Sequence, residues 1–111
     1  MSTNKVADTV KYLISVHPDG RVRKQGISNP PKLEVLNKIV GGYIELIPYF
    51  TTYDKTPCIA YCNEYGKDQK LPYNKTANEL WARAVGRPIV EDFLVGTIAI
   101  IVGPRSFLEK L

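Results

Sequence analysis

A chain of 111 residues, 44% hydrophobic and 23% charged, has the balance of a globular protein and enough length to bury one modest core, but not two. That balance excludes a collagen-like or disordered chain, and no stretch approaches the roughly 18 apolar residues that cross a bilayer. The net charge of +4 and an isoelectric point near 9.1 favour contact with something anionic, yet the excess is small for a dedicated nucleic-acid binder.

The first ten residues, MSTNKVADTV, lack the apolar run of a signal peptide, so the expectation is a cytoplasmic protein with a flexible segment over residues 1–9 and no membrane partner. Val10, Tyr12, Ile14 and Val16 then alternate with more polar neighbours, the period of a half-buried strand. His17-Pro18-Asp19-Gly20 supplies turn residues, and a second strand over 21–26 completes a hairpin. Ser28-Asn29-Pro30-Pro31 stops it. Leu33, Leu36, Ile39 and Val40 recur at helical spacing over 32–40, and Gly41-Gly42 closes that helix as a left-handed cap does.

Alternation predicts a strand over 43–47, with Tyr43, Glu45 and Ile47 on one face, ended by Pro48. After a loop over 51–56, a further strand covers 58–62. Thr76-Ala77-Asn78-Glu79 has the form of a capping box, predicting a helix over 77–85 that Gly86 and Pro88 terminate. The run over 94–102 is apolar on both faces and reads as a central strand, and a helical tail follows Arg105. The expected fold class is α+β: a single domain over 1–111 with a mixed or antiparallel sheet of about five strands and two short helices packed on it.

Residues that carry chemistry are sparse. Four residues along a strand put the Cα atoms of Cys58 and Cys62 roughly 13 Å apart, beyond the ~7 Å limit of a disulfide. They read as free thiols on one strand face. With His17 the only histidine, a metal site has too few ligands, and no cofactor is implied. A turn histidine reads as solvated, no glycine-rich phosphate loop exists, and although Glu45, Glu91 and Asp92 could meet across the fold, their spacing does not require it. An enzyme is therefore not expected. The positive charge is uneven: residues 1–31 and residues 67–87 each carry five Lys or Arg against two acids, and the two segments could share a face.

The segment Val40-Gly41-Gly42-Tyr43-Ile44-Glu45, followed by Asn63-Glu64-Tyr65-Gly66-Lys67, Leu71-Pro72-Tyr73-Asn74 and the Gly96–Gly103 run GTIAIIVG, resembles a small phage and plasmid family known only as a domain of unknown function. The likeness covers roughly residues 10–104. It implies a mobile-element origin, and a cytoplasmic site of action in an infected bacterium. Small accessory proteins of such elements counter host defence, in some cases by sequestering a nucleotide immune signal without cutting it. On that implication the partner is a small nucleotide-type signalling molecule held by a homo-oligomer, with a protein partner or direct nucleic-acid binding as the alternatives.

If a nucleotide is the ligand, residues 70–81 facing Tyr43 and Glu45 offer the needed groups. Lys70 and Lys75 can meet phosphates, Asn74 and Asn78 can read polar edges, and Tyr73 or Trp81 can stack on a base. Each also has a plainer role: Trp81 as core, Asn74 as a turn residue, Thr76 as a cap, the lysines as solvated charge, and Glu45 as a surface partner for a lysine.

Overall fold

The computed structural model describes residues 10–111; the segment expected to be flexible, 1–9, lies outside the described residues. In chain order the elements are β1 (Tyr12–Val16), β2 (Val22–Gly26), α1 (Leu33–Val40), β3 (Ile44–Leu46), β4 (Thr52–Tyr53), β5 (Thr56–Asn63), α2 (Lys75–Val85), β6 (Ile98–Val102) and α3 (Arg105–Leu108). The strands pair in the order β2-β1-β6-β5-β3, every pair antiparallel, and β4 folds back on the start of β5. The fold is an open antiparallel sheet with short helices, an α+β architecture. β6 is central, as its apolar character on both faces predicted: all five of its residues are buried.

Strand alternation sends the apolar residues into two layers. On one face Ile14, Val16, Cys58, Ala60, Ile98 and Ile100 pack with Ala77 and Trp81 of α2. On the other, Leu13, Ala99 and Ile101 pack with Leu36 and Val40 of α1 and with Phe107 and Leu108 of α3. Burying a large apolar side chain contributes about 1.5–3 kcal/mol, so β6, which supplies both layers, is where the fold is held most firmly.

The junction from α1 to β3 is built as the two glycines predict, though for two different reasons. Gly41 takes the left-handed conformation, φ 80°, and its N–H returns to the carbonyl of Asn37. Gly42 is needed for space: a Cβ there would stand 2.9 Å from Nδ2 of Asn63. Asn63 is itself fixed, since Nδ2 donates to the carbonyl of Val40 and to Oε1 of Gln69 while Oδ1 accepts from the Tyr65 amide. One buried amide thus ties the end of α1 to the turn after β5.

Three expectations need correction. The cap of α2 is Asn74, not Thr76: Oδ1 of Asn74 accepts from the Ala77 amide at 3.0 Å, so the helix begins at Lys75 and Thr76 lies within its first turn. Residues 94–97 do not continue β6. Their backbone is claimed by the 72–78 segment, with the Leu94 amide donating to Oδ1 of Asn78 and the Gly96 amide to the carbonyl of Pro72. The loop expected over 51–56 contains the short hairpin of β4 with β5, whose turn residues Asp54 and Lys55 take φ of 51° and 68°.

Candidate functional site

The residues singled out on 70–81 divide into buried ties and exposed groups. Asn74 is 0% exposed, and its amide donates to the carbonyls of Val16 and Gly96 while its oxygen caps α2. Asn78 is equally committed, donating to the carbonyls of Asn74 and Leu94 and accepting from the Leu94 amide. Trp81 is 4% exposed in the core and its Nε1 donates to the carbonyl of Pro48. These three side chains hold α2 to the sheet and have no polar atom left to offer a ligand.

Lys70, Tyr73 and Lys75 are exposed, with Lys70 in a left-handed turn at φ 57° and the Tyr73 ring 6.3 Å from that of Phe93. Tyr43 is 69% exposed and Glu45 is also at the surface. Lys75 and Asn78 line a shallow surface groove with Tyr73, Val90 and Phe93, whereas Glu45 and Trp81 line a cleft of about 340 Å³ beside β3 that adjoins it at Asp92 and Phe93. Of the eight residues, Glu45 and Trp81 line the cleft, Tyr73, Lys75 and Asn78 the groove, and Tyr43, Lys70 and Asn74 neither.

The cleft beside β3 is acidic. Glu45, Glu64, Asp68 and Asp92 line it together with one cation, Lys67, whose ammonium is paired to Asp92. Burial works against the charged form of Asp92, yet Lys67 and the Phe93 amide hold its carboxyl below its ordinary value. Glu45, Glu64 and Asp68 form no ion pair among the described residues. Glu91 is held by Arg87 instead, at 2.7 Å. A phosphate would meet net negative charge here.

A groove of the opposite charge lies across the sheet, between β1, β2 and α1. Leu13, Ser15 and His17 form its floor, and Arg23, Gln25, Val35 and Lys38 are among its walls, enclosing about 890 Å³. Among the described residues its charged lining, Arg23, Lys24 and Lys38, is cationic. Lys24 places its ammonium 5.3 Å from the Tyr53 ring, which leaves Arg23 and Lys38 to face an occupant. The two basic segments of the sequence do not merge, because β2 borders this groove while α2 packs on the other face of the sheet.

His17 is not the free turn residue expected. Its Nε2 lies 3.0 Å from Oγ of Ser15 and its Nδ1 3.3 Å from Oγ1 of Thr97. A hydroxyl beside an imidazole meets one requirement for a nucleophile, but the other requirements are missing. The group orienting the ring is a hydroxyl and not a carboxylate, and Ser15 sits mid-strand, paired with Arg23 on one side and Ala99 on the other, so the ladder occupies the amides that would stabilise an oxyanion. What remains is a polar floor of fixed hydrogen-bonding groups. The sequence signal for it was Ser15-x-His17 on one strand face with Arg23 across the hairpin, which only the register of the pairing makes legible.

The cysteines stand as the strand geometry predicted, free and on the same face of β5. Burial pushes the Cys58 thiol up to about 12. Burial first, then the carboxylates of Glu45 and Asp92, push Cys62 up to about 11. Both are protonated near neutrality and poor nucleophiles. No group of three or more His, Cys, Asp or Glu among the described residues could hold a metal, and no helix there is long and apolar enough to cross a membrane.

Neither the curated proteins nor the solved structures contain a significant match to the chain. The family model described as a domain of unknown function, DUF3846, matches residues 10–106, and the chain belongs to that family.

Proposed function

We propose that the protein is a non-catalytic binder of a small phosphate-bearing anion of the nucleotide class, and that it holds this ligand in the groove between the β1–β2 hairpin and α1. One observation carries the reading: among the described residues the groove's charged lining is cationic, while its floor presents the Ser15 hydroxyl and the His17 imidazole. Arg23 can grip phosphate through two parallel N–H groups and Lys38 can add a point charge. Leu13, Val35 and Ile39 offer an apolar wall for a base or sugar. Binding without turnover is what a sponge for a nucleotide immune signal requires.

The reading moves the ligand away from Lys70 and Lys75, because Asn74, Asn78 and Trp81 beside them are committed to holding α2 and the groove that Lys75 lines also carries Glu79 and Asp92. In a homo-oligomer each chain would carry such a groove.

A thermal-shift screen with cyclic dinucleotides and ADP-ribose tests it, since a ligand that binds only the folded state adds RT ln(1 + [L]/Kd), about 2.7 kcal/mol at 100 Kd. Stabilisation by one of these ligands that vanishes in Arg23→Glu/Lys38→Glu and persists in Lys70→Ala/Lys75→Ala is the expected result. Stabilisation lost in the second variant and kept in the first would return the site to residues 70–81.

A further inference from the structure

β3 ends the sheet. Its neighbour on one side is β5, and among the described residues no strand lies on the other. The ladder with β5 uses the alternate positions, with the Glu64 amide donating to the carbonyl of Tyr43 and the Ile47 amide to the carbonyl of Ala60. By the alternation of an antiparallel strand, the N–H and C=O groups of Ile44 and Leu46 point outward along the open edge. Leu46 is 58% exposed and Tyr43, just before the strand, is 69% exposed. An open edge, even one as short as these three residues, can take a further strand unless something blocks it.

What blocks the wrong strand here is Glu45. If a second copy added antiparallel at this edge, the one register that engages the outward groups of both Ile44 and Leu46 on both chains would set Glu45 directly against its own counterpart. Cα atoms in such a non-hydrogen-bonded pair are only about 4.5 Å apart, and like charges there are destabilising. The same carboxylate favours a cation. A residue paired opposite Glu45 projects to the same face of the sheet, which is the face of the cleft that Glu64, Asp68 and Asp92 also line. The residues on either side of it would project to the opposite face, beside Ile44 and Leu46, where apolar side chains fit.

We propose that the β3 edge and the acidic cleft beside it form a docking surface for an extended segment of a partner protein in which Lys or Arg is flanked by apolar residues, held as an added strand. Backbone hydrogen bonds to Ile44 and Leu46 supply the attachment, and the cation over Glu45 selects the register and the partner. The surface lies apart from the basic groove, so the two sites can be occupied independently.

The test is fluorescence polarisation with labelled heptapeptides STVKVTS and STVEVTS, and a version of the first with N-methylated backbone at both valines. The expected result is at least tenfold tighter binding of the lysine peptide over the glutamate peptide, loss of at least tenfold on N-methylation, and reversal of the charge preference in Glu45→Lys. Should Glu45→Lys fail to fold, Glu45→Gln serves, and there the preference should fall below threefold. No binding of either peptide, equal binding of both, a preference unchanged by the Glu45 variants, or indifference to N-methylation each overturns the proposal. So does concentration-dependent self-association of the wild-type chain that Glu45→Lys abolishes, which would make another copy's basic edge the occupant. Nucleotide binding in the groove is unaffected by any of these results.

Discussion

The side-chain amide of Asn74 donates to the carbonyl of Val16 at 3.0 Å, joining positions 58 apart in the chain. The same NH2 donates to the Gly96 carbonyl at 2.8 Å, and the oxygen caps α2. One side chain therefore links the end of β1, the approach to β6 and the start of α2. Because Asn and Asp are nearly equal as helix caps, Asn74→Asp separates the cap from the ties. If only the cap mattered, the variant would be neutral. Losing both donors removes two buried hydrogen bonds and sets a carboxylate beside two carbonyl oxygens, for a cost of about 3–5 kcal/mol. At ~4 °C or more per kcal/mol, the melting temperature should fall by roughly 12 °C or more. A calorimetric scan showing a change under 3 °C would remove the structural role given to this residue.

The local grammar of the chain was readable and its long-range amides were not. Alternation over 12–16, the continuous apolar run over 98–102, the helical spacing of Leu36 and Val40, and the left-handed cap at Gly41 all follow from patterns within ten residues. Asn63 and Asn74 look like turn residues in sequence, since Asn is common where chains reverse. Their partners, Val40 and Gly96, lie 23 and 22 positions away, and nothing local announces them. The same reason makes the 70–81 stretch look richer in free contacts than it is. Lysines, amides and an aromatic within 70–81 resembled ligand contacts, but the fold had already used the amides and the aromatic to dock α2. The groove's own residues, Ser15, His17, Arg23 and Lys38, come from three elements and converge only once the β1–β2 register is set.

The contact between Gly42 and Asn63 predicts a coupled pair. In Gly42→Ala the new methyl must displace an amide held by three hydrogen bonds, and overpacking of this kind costs about 1–3 kcal/mol. Asn63→Ala removes the obstacle but loses the bonds. A double-mutant cycle by urea denaturation should therefore give a coupling of about 1 kcal/mol or more, with Gly42→Ala cheaper in the Asn63→Ala background. Additive effects within 0.3 kcal/mol would show that the close approach relaxes freely.

Trp81 is the chain's single tryptophan, so its emission reports on the docking of α2 without any label. It packs among Ile47, Phe50 and Leu94, with Nε1 donating to the Pro48 carbonyl at 2.9 Å. Trp81→Phe keeps most of the apolar contact but leaves that carbonyl unpartnered, at about 1–3 kcal/mol. Trp81→Ala opens a cavity as well and should cost about 3–5 kcal/mol. The order of the two midpoints in urea, with the phenylalanine variant clearly the more stable, checks the division between packing and hydrogen bonding.

The thiols on β5 make a prediction in which sign matters. Burial raises both, and a raised thiol is one whose charged form the folded state disfavours. Below about pH 9 both states keep the proton and stability is fully present. As pH rises toward about 11 and then about 12, the unfolded chain releases protons that the folded chain retains, so stability falls across that window. Near pH 8, alkylation by iodoacetamide should be roughly a hundredfold slower in the folded protein than in the chain unfolded by guanidinium. The two cysteines should then part company. Glu45 and Asp92 contribute to the shift of Cys62 and not to that of Cys58. Glu45→Gln should therefore lower the Cys62 value and speed its alkylation severalfold, while Cys58, whose Sγ lies 3.5 Å from the Phe50 carbonyl, stays inert. Peptide mapping of the alkylated sites distinguishes them. Equal acceleration at both would point to loosening of β5, and no acceleration at Cys62 would mean that Glu45 exerts no field within the cleft, removing the basis for its selecting a cation there.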